Sequence, residues 1–151
     1  MSRERSLVIL FVDDNEGQAH IVRDALAEGE LPAHRLRVAT TGREALDRAF
    51  RRAPFEAEPR PDLVLLDLDL PVVSGLDVLS ALKESPELRA VPVVVFTSAG
   101  RAGSIAECYE RGANSVVVRP IPLDELGDVL RAVVVYWSTV DASSRVLDTS
   151  A

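Results

Sequence analysis

The sequence predicts a single α/β domain in which five strands alternate with five helices around a parallel sheet. Short aliphatic runs, typical of strands covered on both faces, are separated by segments whose apolar residues have helical spacing. Alternation of this kind predicts βαβ units with right-handed crossovers. The length of 151 residues suits one hydrophobic core and is short for two.

The first part of the chain contains two strand and helix pairs. The β-branched and aliphatic run Leu7–Val12 predicts a buried strand, and residues 15–28 follow with helical spacing. The shorter and more polar run Leu36–Ala39 predicts a strand near a sheet edge. Thr41 and Glu44 have the spacing of a capping box, which predicts a second helix after Thr41.

The third strand is the most continuously apolar one and therefore predicts the centre of the sheet. It comprises Leu63–Asp67, after a Pro-rich loop, and Gly75 allows a tight turn before the third helix. The remaining predicted elements are a strand at Val93–Phe96, a helix through Ile105 and Tyr109 that Gly112 ends, a strand at Val116–Val118, and a helix from Leu123 to about Val140.

Composition excludes several classes of function. The net charge of -7 argues against nonspecific nucleic-acid binding, because phosphate neutralisation needs clustered basic residues. No apolar stretch approaches the roughly 20 residues of a membrane span, and nothing resembles a signal peptide, so we expect a soluble, cytoplasmic protein. The single cysteine, Cys108, excludes an internal disulfide framework and a cysteine-based zinc site.

Polar, chemically capable residues close four of the apolar runs. Asp13 and Asp14 follow the first strand, Asp67 closes the third, Thr97 the fourth and Arg119 the fifth. Open α/β folds bind their ligands at the carboxyl ends of the strands. The pattern therefore predicts one acidic pocket with a hydroxyl group and a cation beside it.

Clustered carboxylates repel one another unless a cation neutralises them, and oxygen ligands suit Mg²⁺. A carboxylate in such a site can attack phosphorus, with Thr97 donating a hydrogen bond and Arg119 balancing charge. Taken singly, each residue also has a structural interpretation. Asp14 or Asn15 can cap a helix, and Arg119 can form a surface ion pair. The joint order of the residues favours the functional interpretation.

These residues resemble those of the receiver domain of two-component response regulators, over about Leu7 to Trp137. The matching features are the acid pair Asp13-Asp14, Asp67 in LLDLDLP, Gly75 in the following turn, Thr97 in VVVFTS and the pair Arg119-Pro120. The resemblance implies a flavodoxin-like, doubly wound (βα)5 fold with a parallel sheet of order 2-1-3-4-5. It also implies phosphoryl transfer to the side chain of Asp67 from the phosphohistidine of a sensor histidine kinase.

The resemblance assigns further roles residue by residue. Asp14, Asp67 and the main-chain carbonyl of Asp69 would bind Mg²⁺, whereas Asp13 would act largely through water. Thr97 would move toward the phosphoryl group as the switch residue.

Two positions depart from the family pattern: Arg119 replaces the usual Lys, and Val116 stands where an aromatic switch residue is common. The resemblance also implies, in agreement with the family pattern, that Pro120 follows a cis peptide bond.

Phrases such as PDLVLLDLDLP and ERGANSVVVRPI resemble stand-alone regulators paired with bacterial phytochrome kinases. No DNA-binding domain follows, so we expect output through protein contacts or phosphate relay. We expect residues 1–140 to form the receiver domain and 141–151 a tail. Because AVVVYW in the last helix is apolar all round, that helix and the tail predict a homodimer contact.

Two alternatives remain open. DLDLP contains the Asp-x-Asp pair of haloacid dehalogenase-type phosphatases, in which Asp67 would be the nucleophile and Asp69 the acid-base residue. A pseudo-receiver would instead act as a dimeric adaptor without phosphate. The leading interpretation is a phosphoacceptor and not an enzyme acting on an external metabolite. His20 and His34 have no matching partners and predict solvated side chains, the latter in a loop.

Overall fold

A computed structural model describes residues 6–28, 31–98, 102–119 and 123–150, without the side chains of 98, 102–104, 119, 123–124 and 139–150. All strand pairs are parallel, and the sheet order β2-β1-β3-β4-β5 confirms the predicted one. Within these residues the elements are β1 (Leu7–Val12), α1 (Glu16–Ala27), β2 (His34–Ala39), α2 (Gly42–Ala49), β3 (Leu63–Asp67), α3 (Gly75–Glu84), β4 (Val93–Ser98), α4 (Ala102–Glu110), β5 (Ser115–Arg119) and α5 (Leu123–Ser150).

Two apolar layers cover the sheet, and β3 contributes alternate residues to each. Val64 and Leu66 pack with α2, α3 and α4, whereas Leu63 and Leu65 pack with α1 and α5. Every residue of β3 is buried. The alternation follows from the pleat of a strand, and burial on both faces confirms β3 as the central strand.

The start of β2 differs from the sequence prediction. His34, expected in a loop, is the first residue of β2 and lies opposite Leu7 of β1. Its Nδ1 lies 3.0 Å from the Pro32 carbonyl oxygen. Apolar patterning missed His34 and Arg35 because β2 is an edge strand, which pairs with one neighbour and tolerates polar side chains.

The last helix is longer than the sequence predicted. α5 has 28 residues and ends at Ser150, not near Val140, so most of the expected tail is helical. Neither Gly nor Pro occurs after Gly127, so nothing in the sequence interrupts the helix there. In the part of the chain that the structure describes, no helix combines the length and apolar character needed to cross a membrane.

Side-chain caps fix where α1 and α2 begin. Asn15, and not Asp14, caps α1 by accepting a hydrogen bond from Gln18 N–H. Thr41 caps α2 by accepting from Glu44 N–H, as predicted. The Glu44 carboxylate accepts from the N–H of Thr40 and not from that of Thr41, so the capping box is displaced by one residue.

The one lysine of the chain, Lys83 at the end of α3, connects this helix to the α3–β4 connection and to the α4–β5 turn. Its Nζ donates to the carbonyls of Arg89 (3.2 Å) and Val91 (2.8 Å) and to Asn114 Oδ1 (2.8 Å). Asn114 Oδ1 also accepts from Val93 N–H at the start of β4. Burial lowers the pKa of Lys83 to about 8. A compact ammonium group with three donors fits this cage of oxygens better than a planar guanidinium would.

Candidate functional site

The sheet brings the predicted acids together at its carboxyl edge. Val12 lies opposite Leu66 in the register of β1 and β3, so the residues that follow them, Asp13 and Asp67, come side by side. One carboxylate oxygen from each of Asp13, Asp14 and Asp67 lies within 4.8 Å of the others. Asp13 and Asp67 are 1% and 5% exposed, whereas Asp14 is exposed, so the cluster opens to solvent on one side.

Short hydrogen bonds within each loop orient the two buried carboxylates. Asp13 Oδ1 accepts from Asn15 N–H at 2.9 Å, and Asp67 Oδ1 accepts from Asp69 N–H at 3.1 Å. Both donors belong to the turns that leave the strands, so the strand-to-helix connections themselves hold the acids in place. This arrangement preorganises the pair before any ligand binds.

The cluster fits a hard divalent cation. Three carboxylates this close repel one another, and carboxylate oxygens are the ligands that Mg²⁺ prefers. Asp13, Asp14 and Asp67 are the residues that would hold the ion. Asp69 lies two residues beyond β3 and is exposed, and the role of its main-chain carbonyl as a ligand stays a prediction.

Thr97 lies in β4, one position beyond Phe96, which pairs with Asp67. The Thr97 side chain is fully buried, and its Oγ1 has no hydrogen-bond partner among the described residues. A buried hydroxyl without a partner is unfavourable, so it marks a position where an acceptor belongs. A phosphoryl oxygen is such an acceptor.

Arg119 ends β5 and pairs with Ser98 of β4, which places its backbone at the same edge. The Arg119 side chain and Pro120, with its expected cis bond, lie outside the described residues.

Val116, which stands where the family commonly has an aromatic residue, contacts a tyrosine that the sequence analysis did not assign to the site. Val116 is partly buried against the core, and its N–H donates to the hydroxyl of Tyr109 at 3.1 Å. Arg111 fixes the same end of α4 to α3, through Ser80 Oγ at 3.1 Å, and also pairs with Glu107 at 2.7 Å. An aromatic ring thus reaches β5 from α4, and no sequence motif indicates this contact.

The other reactive side chains do not form a second centre among the described residues. Cys108 is buried in the core, as expected of a small apolar side chain. Burial and the Glu107 carboxylate raise the pKa of its thiol, against the opposing effect of Arg111. The thiol is therefore protonated at neutral pH and a poor nucleophile. His20 is exposed, in agreement with the sequence prediction.

A parallel sheet of order 2-1-3-4-5 with an acidic cluster at its carboxyl edge defines a flavodoxin-like receiver fold. A family model described as the response regulator receiver domain matches residues 9–131. The response regulator Rcp1 of Synechocystis sp. is 30% identical over 130 residues, which cover 86% of this chain and 88% of Rcp1. The chain therefore belongs to the response regulator receiver family, a family of signalling domains.

Solved structures of phytochrome response regulators are similar to this chain over most of its length. The phosphorylated cyanobacterial regulator RcpA has a TM-score of 0.83 at 28% identity, covering 90% of this chain and 96% of RcpA. The Mn²⁺-bound form of Rcp1 has a TM-score of 0.80 at 30% identity, covering 87% of this chain and 94% of Rcp1. The bacteriophytochrome response regulator AtBRR has a TM-score of 0.68 at 34% identity, covering 85% of this chain and 94% of AtBRR.

Proposed function

We propose that this chain is a stand-alone response regulator that accepts a phosphoryl group on Asp67 from a histidine kinase of the phytochrome type. The observation that carries the proposal is the buried Asp67 carboxylate within 4.8 Å of the oxygens of Asp13 and Asp14. The phytochrome assignment rests on the similarity to RcpA, Rcp1 and AtBRR. The output is a change in protein contacts, in the cytoplasm.

The transfer step forms an acyl phosphate. A carboxylate oxygen of Asp67 attacks phosphorus, the P–N bond of the phosphohistidine breaks, and its electron pair goes to the leaving imidazole, which is protonated. Thr97 Oγ1 donates a hydrogen bond to a phosphoryl oxygen, and Arg119 balances charge at the same edge. Asp13, Asp14 and Asp67 would hold Mg²⁺, which would neutralise the charge that accumulates there. The Mn²⁺-bound structure of Rcp1 supports a divalent cation in this role.

The experiment uses a donor small enough to need no docking surface. The chain is incubated with Mg²⁺ and acetyl phosphate, and its intact mass is measured. We expect the gain of one phosphoryl group, lost in Asp67→Ala and lost again on chelation of Mg²⁺. No gain, or an equal gain in Asp67→Ala, contradicts the proposal, whereas partner binding that persists in Asp67→Ala would favour the pseudo-receiver. Turnover of a generic phosphate ester that depends on Asp69 would instead point to a phosphatase.

The same proposal includes a homodimer through α5, with residues 141–151 taking part. Val135 and Tyr136 lie on the outer side of α5 and are 45% and 57% exposed, while Val134 between α5 and the sheet is fully buried. Neighbouring exposed apolar side chains on one helix are typical of an interface. Light scattering checks this: Tyr136→Glu should yield a monomer, and Glu125→Gln, an exposed substitution on the same helix, should leave the dimer intact.

A further inference from the structure

Val72, in the loop between β3 and α3, is both strained and fully exposed. Its φ angle is 64°, in the left-handed region that β-branched residues rarely adopt. Its side chain has a relative exposure of 101%, the highest among the exposed large hydrophobic residues that the structure describes. Either property alone is unfavourable for valine, and Gly or Asn would avoid both.

The loop around Val72 is held firmly. Gly75 N–H donates to the Leu68 carbonyl at 3.2 Å and closes the loop at its base. On the far side of Val72, Val73 packs on the core and touches the start of α2, where a Cβ on Gly42 would lie 2.5 Å from the Val73 carbonyl oxygen. The surroundings therefore impose the conformation of Val72, as expected of backbone strain at a functional position.

The position of the loop indicates which contact Val72 makes. Asp67 is 5% exposed, so a donor protein reaches it only by seating on the loops around the acids. Val72 follows Asp67 by five residues and projects from one of those loops. Asp14 and Asp69 near Asp67 are exposed, and Val72 is a fully exposed apolar side chain in the loop that follows Asp67, so it suits a small apolar recess in a partner surface.

We propose that Val72 is a docking contact for the phosphohistidine-bearing protein that donates to Asp67, with its isopropyl group inserted in an apolar recess beside the phosphohistidine. The inference rests on the proposed function and specifies how the donor is recognised. It assigns Val72 no part in the chemical step, because a small donor needs no such recess.

The test separates docking from chemistry with three variants. Val72→Asn relieves the strained φ and removes the apolar group, whereas Val72→Ile keeps the strained φ and an apolar group. Arg51→Gly is the control for relief of strain alone. Arg51 also has a positive φ, 55°, but follows the other end of α2, away from the acids. Each variant is phosphorylated with acetyl phosphate and, separately, with an autophosphorylated bacteriophytochrome kinase that labels the unmodified chain.

We expect Val72→Asn and Arg51→Gly each to raise the melting temperature by about 3 °C, because both relieve strain. Val72→Asn should lower the rate constant for transfer from the kinase by about 10-fold at subsaturating protein, with unchanged labelling by acetyl phosphate. Val72→Ile and Arg51→Gly should transfer at the unmodified rate.

Two results overturn the inference: equal transfer rates for Val72→Asn and the unmodified chain, or an equal loss with both donors, which would mean a distorted site. If the unmodified chain accepts phosphate from neither donor, the proposed function itself fails.

Discussion

The hydroxyl of Thr97 is buried without a hydrogen-bond partner among the described residues, and we propose that it serves a ligand and not the fold. Thr97→Val keeps the shape of the side chain and removes an oxygen that has no partner among the described residues. We expect the free energy of unfolding without phosphate to stay unchanged or rise by about 1 kcal/mol, because a desolvated hydroxyl disappears. Labelling by acetyl phosphate should slow at least ~10-fold, since one hydrogen bond to the phosphoryl group is lost.

Urea denaturation and the rate of mass gain measure the two effects, and Thr97→Ser, which keeps the hydroxyl, is the control. A large loss of stability in Thr97→Val would show that the hydroxyl serves the fold.

Lys83 makes a prediction about pH. Burial lowers the pKa of Lys83 to about 8 in the folded chain, from 10.5. Between these values the unfolded chain binds more protons than the folded one, so the Lys83 contribution to stability rises with pH in that window and is constant below it. The difference in unfolding free energy between the unmodified chain and Lys83→Met should therefore grow from pH 8 to pH 10.

Urea titrations at pH 7, 8, 9 and 10 check the slope, and the comparison with Lys83→Met removes the effect of other groups that titrate in this range. A constant difference across these values would contradict the prediction.

At the scale of elements, the connection from β3 to α3 depends on a glycine with no room beside it. A Cβ on Gly75 would lie 2.5 Å from the Asp67 carbonyl oxygen and 2.6 Å from Leu68 Cα, both backbone atoms. Gly75→Ala should therefore destabilise the chain by at least ~2 kcal/mol and slow phosphorylation, although Ala normally favours a helix.

The control is Gly127→Ala in α5, whose new Cβ would meet only the flexible end of Arg131 at 3.2 Å. That variant should be neutral or more stable by about 0.5 kcal/mol in urea denaturation. Equal effects of the two substitutions would refute the steric argument.

Elements were predictable from sequence where burial imposes a pattern. β1 and β3 have the predicted bounds, because strands buried on both faces are continuously apolar. The start of β2 was missed because an edge strand accepts His34 and Arg35. The end of α5 was missed because the apolar run stops near Val140 while the helix continues.

The candidate site was predictable in part. Parallel strands bring their carboxyl ends to one edge, so the clustering of Asp13, Asp14 and Asp67 followed once β1 and β3 were taken as neighbours, as the family resemblance implied. The strained backbone of Val72 was not predictable, because valine is the wrong residue type for a positive φ. Neither was the Tyr109 contact with Val116, which depends on how α4 packs.

For the whole molecule, a net charge of -7 and three clustered carboxylates make an electrostatic prediction. Mg²⁺ should raise the melting temperature in a saturable manner, since an ion bound at the folded site would relieve repulsion. Asp67→Asn should melt at a higher temperature than the unmodified chain in the presence of a chelator, and should gain less from Mg²⁺.

Differential scanning fluorimetry with Mg²⁺ at constant ionic strength measures both effects, and Glu125→Gln, a neutralised exposed acid on α5, is the control for net charge. An equal rise in both variants would assign the effect to overall charge and not to the cluster.

The single lysine has a practical consequence for observing motion. Apart from two histidines, all other basic side chains are arginine, so an amine-reactive reagent has one side-chain amine as its target in the entire chain, that of Lys83. Because Nζ is engaged by Arg89, Val91 and Asn114, its reaction rate reports how often α3, the α3–β4 turn and the α4–β5 turn separate. The chain would be acylated briefly, with and without acetyl phosphate, and the labelling of Lys83 measured by mass spectrometry. The comparison would show whether phosphorylation of Asp67 loosens or tightens this junction at the opposite end of the sheet.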